Sequence, residues 1–199
     1  MKRTILAISC MLGFLLTNEK CICQNQEFEE GYYITLKNDT VHNLLKNANS
    51  MYLVFYNKKG FMKKLTPSQV KGFTISGVEY VPMYLKEFDL KYFLAIKQRG
   101  CITLFQYEGI DSRYQMLPGG AVTGADIGNF RNHVSGFYIK KSHDDNLFAI
   151  PGGKRLLADF ILKHFSDNEE LVTKAKNLEY TYKDIELIIE KYNKNCIQE

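Results

Sequence analysis

The sequence predicts an α+β fold: an antiparallel β-sheet of several hairpins, followed by about three C-terminal helices packed on it. Three observations carry this reading. Up to about residue 150, apolar residues alternate with polar ones in short runs separated by turn residues, the period-2 pattern of strands. Most of the 13 Tyr and 13 Phe fall in that region, where aromatics suit a pleated, half-buried surface. Beyond residue 154 the apolar spacing lengthens to that of a helix.

Residues 31–37 (GYYITLK) alternate, with Tyr32, Ile34 and Leu36 on one face, and Asn38-Asp39 turns the chain into Thr40–Leu44. Met51–Tyr56 is a second strand region, returned by Asn57-Lys58-Lys59-Gly60 into Phe61–Leu65. Thr66-Pro67-Ser68-Gln69 reads as a one-turn helix with proline at its first position. Val78–Val81 is a short strand. Lys91–Lys97 and Cys101–Tyr107 form a hairpin across Gln98-Arg99-Gly100, and Phe137–Lys141 pairs with Leu147–Ile150 across Ser142–Asn146. In the helical region Leu156, Leu157, Phe160, Ile161 and Phe165 share a face. Ser166 and Glu169 make a capping box for a second helix. Thr181 and Asp184 open a third, whose Ile185, Ile188, Ile189 and Tyr192 repeat at i, i+3, i+4 and i+7.

The N-terminus has the layout of a secretion signal: Met1-Lys2-Arg3, a run of roughly a dozen apolar residues from Thr4 to Thr17, then Cys21-Ile22-Cys23. The side chains of Cys21 and Cys23 are small enough for the positions three and one before a cut, which places cleavage between Cys23 and Gln24. A membrane anchor needs about 20 apolar residues, more than this run supplies. A lipoprotein signal fits less well, because Lys20 and Ile22 stand where a small residue is required before the modified cysteine. Residues 1–23 are thus expected to leave, and 24–199 to form a single domain of 176 residues with strands over 31–150 and helices over 154–194. Removing 1–23 lowers the formal charge from +4 to +2, so the composition implies no nucleic-acid partner. No later stretch is long and apolar enough to span a membrane.

Cleavage would leave Cys101 and Cys196. In an oxidising compartment they invite one bridge, closing a loop worth about 4–5 kcal/mol in the chain-entropy model. Two free thiols are the alternative. The four histidines, His42, His133, His143 and His164, lie in no metal-binding frame, and His143-Asp144-Asp145 sits where a hairpin tip belongs. His164 falls on the last turn of a helix, where a cation is favoured. Pro151-Gly152-Gly153-Lys154 lacks the first glycine of a P-loop, since position 148 is Phe, and reads as the turn into a helix. Ser135 has no Gly-x-Ser-x-Gly frame. No cofactor is implied. Residues 117–136 hold five glycines and read as a long irregular loop, a place where ligand sites concentrate. Gly119, Gly120, Asp126, Arg131 and His133 are its candidate ligand residues. Lys58-Lys59, Lys63-Lys64 and Lys140-Lys141 near hairpin tips read as solvated edge protection, or as a contact for anionic lipid or polysaccharide.

Several segments together resemble a family of uncharacterised exported proteins common in Bacteroidota: the signal ending before Gln24, GYYITLKNDTV (31–41), TPSQVKGF (66–73), FYIKK (137–141) and YNKNC (192–196). The resemblance covers most of the chain after residue 23 and brings no catalytic residue with it. It implies a periplasmic or secreted location. Family members often carry a cysteine at the start of the penultimate helix, where this chain has Ser166-Asp167, and the loop over 119–136 is longer than the family suggests. Asp39-Thr40-Val41 resembles the sites these bacteria O-glycosylate, at Thr40. The reading of the whole is an exported cell-envelope protein, a non-enzymatic structural or binding module with an envelope component or glycan as partner. The alternative is a hydrolase or small-ligand or glycan-binding protein using the loop.

Overall fold

The structure, a computed structural model, describes residues 28–110 and 133–196. Its ten strands form one antiparallel sheet, and three helices follow. The strands are β1 (Glu29–Thr35), β2 (Thr40–Ala48), β3 (Tyr52–Tyr56), β4 (Met62–Leu65), β5 (Val70–Ile75), β6 (Val78–Leu85), β7 (Leu90–Gln98), β8 (Ile102–Ile110), β9 (His133–Lys141) and β10 (Phe148–Ala149). The helices are α1 (Lys154–His164), α2 (Glu169–Lys176) and α3 (Ile185–Cys196), the last entered through a 3-10 turn, Tyr182–Asp184. The strand order is β10-β9-β8-β7-β6-β5-β1-β2-β3-β4.

That order forces the first half of the sheet to curl. In a flat sheet β4 and β5 would stand four strand spacings apart, about 19 Å. Only residues 66–69 connect them, and these fold into a turn in which Gln69 N–H donates to Thr66 O at 3.0 Å. A turn brings its ends within about 7 Å, so the whole connection spans less than about 15 Å. The sheet closes the difference by rolling around Leu45, Leu53, Phe55, Val70, Phe73, Ile75 and Phe93, all buried on its inner face. No helix forms at Thr66–Gln69, contrary to the sequence reading. Thr66 N–H does donate to Gln69 Oε1 at 2.8 Å, as in a capping box, but the chain enters β5 directly afterwards.

The roll is fastened at the tip of the β2–β3 hairpin. β7 and β8 pair only from Ala95–Gln106 to Gln98–Leu104, so beyond Ala95 each strand has backbone groups without a ladder partner. Ser50 fills that gap. Its carbonyl accepts from Phe93 N–H at 2.7 Å and its hydroxyl donates to Glu108 O at 2.7 Å. Asn49 and Ser50 both take positive φ, 56° and 57°, which turns the buried Ser50 inward.

The other half of the sheet carries the helices. Ile102, Leu104 and Ile139 pack with Leu157, Ile161, Phe165, Leu171, Ile185, Ile188 and Ile189 in a second core. On the opposite face of the same strands lies a third cluster, Leu85, Tyr92, Leu94, Phe105, Tyr107 and Tyr138. The apolar stripe of α3 agrees with its sequence period, and Thr181 and Asp184 form the capping box that starts it. Two helical expectations are corrected. In α1 the buried positions are Leu157, Ala158, Ile161 and His164, while Leu156 is 60 % exposed, because the stripe is rotated toward Ala158. Helix α2 is capped by Asn168, whose Oδ1 accepts from Leu171 N–H at 3.1 Å, and not by Ser166. In β1 the core-facing residue is Tyr33, packed on the inner cluster, and Leu36 lies in the exposed turn.

Helix α3 is bound to the β7–β8 turn at two points. Asn193, buried at the helix end, accepts from Ile102 N–H through Oδ1 and donates to Ile102 O through Nδ2, each at 2.9 Å. Gly100 makes room for it, since a Cβ there would stand 2.4 Å from the Asn193 Cγ. Next to this clamp Cys101 and Cys196 are joined in a disulfide, Cα atoms 6.5 Å apart.

Asn193→Ala leaves both Ile102 backbone groups without their partner and is expected to cost about 2–3 kcal/mol. Urea unfolding checks this: the midpoint falls while the slope is unchanged. A variant within error of the parent would show that the clamp adds nothing to the disulfide.

Candidate functional site

The seam between the rolled half and the helix-bearing half is polar. A cleft of about 110 Å³ opens there, lined by Asn47, Ser50, Val78, Tyr80, Ala95, Lys97, Gln106 and Glu108. Strand alternation puts these groups together. Asn47 on β2 points to the same face as Leu45, and Tyr80 on β6 lies opposite Phe73 and Ala95 on its two neighbours. The Tyr80 ring stacks on Phe73 at 4.6 Å between centroids, fixing where its hydroxyl stands. Burial and then the charge of Glu108 push that hydroxyl above the usual tyrosine range, with Asn47 opposing, so it stays protonated. Asn47 Oδ1 is fully buried and has no hydrogen-bond partner among the described residues. The cleft therefore offers an unmet acceptor, a phenol, an amide at Gln106, and opposite charges on Lys97 and Glu108. This set suits a small polar molecule carrying a donor, and contains no nucleophile paired with a base.

A second, broader depression of about 670 Å³ lies on the outer face across β5, β1 and β2, bordered by Glu30, Tyr32, His42, Leu44, Thr74 and Ser76. Tyr32 and His42 sit directly opposite each other, rings 5.6 Å apart. Gly31 is required beneath it, because a Cβ would meet Thr74 O at 2.2 Å. It is an open surface, and its groups do not converge on a point.

The residues singled out in the sequence are placed as follows. Gly119, Gly120, Asp126 and Arg131 lie outside the described residues, as do Cys23 and Gln24. His133 is the first residue of β9, opposite Ile110, so residues 133–136, expected to be irregular, belong to a strand. β9 separates His133 from the exposed His143 by about 27 Å of strand, so these two histidines do not share a site. His143 stands in a local turn where Asp144 Oδ1 accepts from Asn146 N–H at 2.8 Å. Thr40 is exposed at the start of β2, beside a turn closed by Asp39 N–H donating to Thr35 Oγ1 at 3.1 Å. No group of three or more His, Cys, Asp or Glu side chains able to hold a metal is found among the described residues.

His164 is not the surface cation that its place at a helix end suggested. It is buried between the rings of Phe148 and Phe160, at 4.6 and 4.4 Å. Burial first, then the charges of Lys141 and Lys163, hold its imidazole below the usual histidine range, with Asp144 opposing. The cleft itself escaped sequence reasoning. Asn47 and Tyr80 are ordinary strand residues in sequence, and only the roll of the sheet brings them together.

No family model matches this chain, and no curated protein and no solved structure is significantly similar to it.

Two measurements test this description. Asn47→Leu keeps the number of side-chain heavy atoms and removes the unmet Oδ1 together with the hydrogen bond to Tyr80, so it is expected to change stability by no more than about 1 kcal/mol in thermal unfolding. A larger loss would mean that Oδ1 itself has a structural partner. For His164 the folded pKa is depressed, so below about pH 6.5 the unfolded state takes up a proton that the folded state refuses. Stability should fall as pH drops through that range toward the lower folded pKa. The Glu170 carboxyl, held down to about 2 by Lys191 and Lys174, loses its contribution only below its unfolded value of about 4.5. His164→Leu should flatten the upper limb alone, and a parallel pH profile would refute the assignment.

Proposed function

We propose that this chain is an exported cell-envelope protein, periplasmic or secreted, that acts as a non-enzymatic binding module. The observation that carries the export reading is the Cys101–Cys196 disulfide. Such bonds persist in oxidising compartments and are reduced in the cytosol. This one closes a loop of 95 residues and fixes the last helix to the sheet. The signal-like arrangement of residues 1–23 and the resemblance to exported Bacteroidota proteins support the same location. The binding reading is supported by the surfaces of the sheet: an aromatic and polar depression over β1 and β2, and large apolar side chains left exposed.

A second reading, a small-ligand binder, is favoured by one observation, the unmet Asn47 oxygen in the seam cleft. In that reading the ligand site lies between β2, β6, β7 and β8, and not in the glycine-rich segment.

Mass spectrometry of the protein purified from its native host without reductant tests the export reading. The expected species begins at Gln24 and resists alkylation at Cys101 and Cys196 until reduced. Full-length protein with Cys21 and Cys23 intact, or two freely alkylated thiols in the folded protein, would sink it. Any hexose-type mass increment would be localised by fragmentation to Thr40 or elsewhere.

A further inference from the structure

Residues 40–78 contain six lysines, Lys46, Lys58, Lys59, Lys63, Lys64 and Lys71, and no Asp or Glu. The rest of the chain carries two more acids than bases, so the positive charge of this protein is concentrated in one 39-residue stretch. The topology gathers it further, because β2, β3 and β4 are the last three strands at one end of the sheet. Lys58 and Lys59 stand in the β3–β4 turn and Lys63 and Lys64 on the edge strand β4, all four exposed and without an ion pair among the described residues.

Among these lysines stand large apolar side chains that the fold leaves in solvent. Phe61 is 64 % exposed, Met62 55 % and Tyr56 46 %. Tyr56 and Met62 are direct cross-strand partners, and Phe61 adjoins them at the turn. Four hydrogen bonds hold this tip in shape. Asn57 Oδ1 accepts from Lys59 N–H and Phe61 N–H, both at 3.0 Å. Asn57 N–H donates to Phe61 O, and Gly60 N–H to Asn57 O, each at 2.9 Å. Gly60 takes φ +76°, which an L side chain resists. Phe61 is therefore presented by a rigid turn.

Edge strands carry lysine to prevent association with other strands, and that accounts for Lys63 and Lys64. It does not account for Phe61 and Met62 on the same edge, since apolar residues there promote what lysines prevent. Apolar side chains ringed by lysines have a common physical use at the bilayer interface. The ammonium groups meet lipid phosphates while the apolar groups enter the boundary of the acyl chains. An anionic polysaccharide would match the charge and stack a sugar ring on Phe61, but it gains little from Met62 beside it.

We infer that the β3–β4 hairpin is a peripheral docking element for an anionic phospholipid surface, with Phe61 and Met62 as the inserting groups and Lys58, Lys59, Lys63 and Lys64 as the phosphate contacts. This deepens the envelope reading by naming its partner. The two fail separately, because the mature N-terminus and the thiol state are independent of lipid binding.

Co-sedimentation of the disulfide-bonded protein with vesicles tests it. The comparison is phosphatidylcholine alone against phosphatidylcholine containing about 30 mol % phosphatidylglycerol, an amount that gives the vesicle a strong negative surface potential. Binding is expected only to the anionic vesicles and should weaken as salt is raised. Phe61→Ser with Met62→Ser should lower partitioning by about tenfold, and so should the four-lysine replacement by Gln. All six positions are exposed, and near-UV circular dichroism confirms that the variants remain folded. Equal binding to both vesicle types, or no binding, overturns the inference. So does binding to dextran sulfate of the same strength that ignores Phe61→Ser, which would assign the patch to polyanions in general.

Discussion

The architecture rests on one residue that two separated strands share. Where β7 and β8 diverge, Phe93 presents an N–H and Glu108 a carbonyl that no neighbouring strand meets. Left buried and unpaired, each would cost about 1–3 kcal/mol. Ser50 satisfies both, one with its backbone and one with its side chain. To do so it must arrive from β2, four places away in the strand order, and it can arrive only if the intervening sheet is rolled. The roll, the cluster around Phe73 and Phe93, and the cleft at the seam all follow from that requirement.

The same sheet face changes its covering along its width. In the rolled half, strand residues cover one another, while in the other half α1, α2 and α3 do so. The change is held in register at the β7–β8 turn. The Asn193 amide reproduces for Ile102 the two hydrogen bonds that another strand would have given, so the end of α3 substitutes for a strand at that point. The disulfide beside it prevents the helix end from fraying away. Gln98 Nε2 adds a bond to Glu186 O at 2.9 Å near the start of α3, so both ends of the helix are tied to β7 or its turn.

Elements with a strong local period were legible in the sequence. The α3 stripe and its Thr181–Asp184 box, the hairpin over 91–107 and the strand-then-helix order all agree with the structure. β5 was missed because Val70-Lys71-Gly72-Phe73-Thr74-Ile75 is interrupted by a glycine. That glycine is needed where a Cβ would stand 2.8 Å from Tyr80 O. Thr66–Gln69 carried the local chemistry of a helix start, and the β4–β5 geometry used the same hydrogen bond to make a turn. Leu156 and Ala158 exchanged roles in α1 because a stripe read from hydrophobicity alone favours the larger residue, whereas packing near Ile150 and Ile161 selects the smaller. The candidate cleft was illegible for a different reason. Its groups come from β2, β6, β7 and β8, and no sequence period links positions 47, 80, 97 and 108.

The polar character of that cleft bears on function. A seam between two apolar clusters is closed most cheaply by apolar side chains, and Asn47, Tyr80 and Gln106 all stand on the inward face where such residues would fit. Retaining a buried amide oxygen without a partner among the described residues costs about 1–3 kcal/mol, a large share of the stability of a chain this size. That oxygen must be met by something that donates: water in the free protein, since about 110 Å³ leaves ample room for it, or a ligand donor in a complex. The hydrogen bond between the Asn47 side chain and the Tyr80 hydroxyl is one reason to keep the amide, and its oxygen remains open to a donor. The seam cleft and the lysine-ringed hairpin stand at opposite ends of β2 and β3, because Asn47 adjoins the β2–β3 tip and Tyr56 leads into the β3–β4 turn. A molecule seated in the one would leave the other free to face a surface.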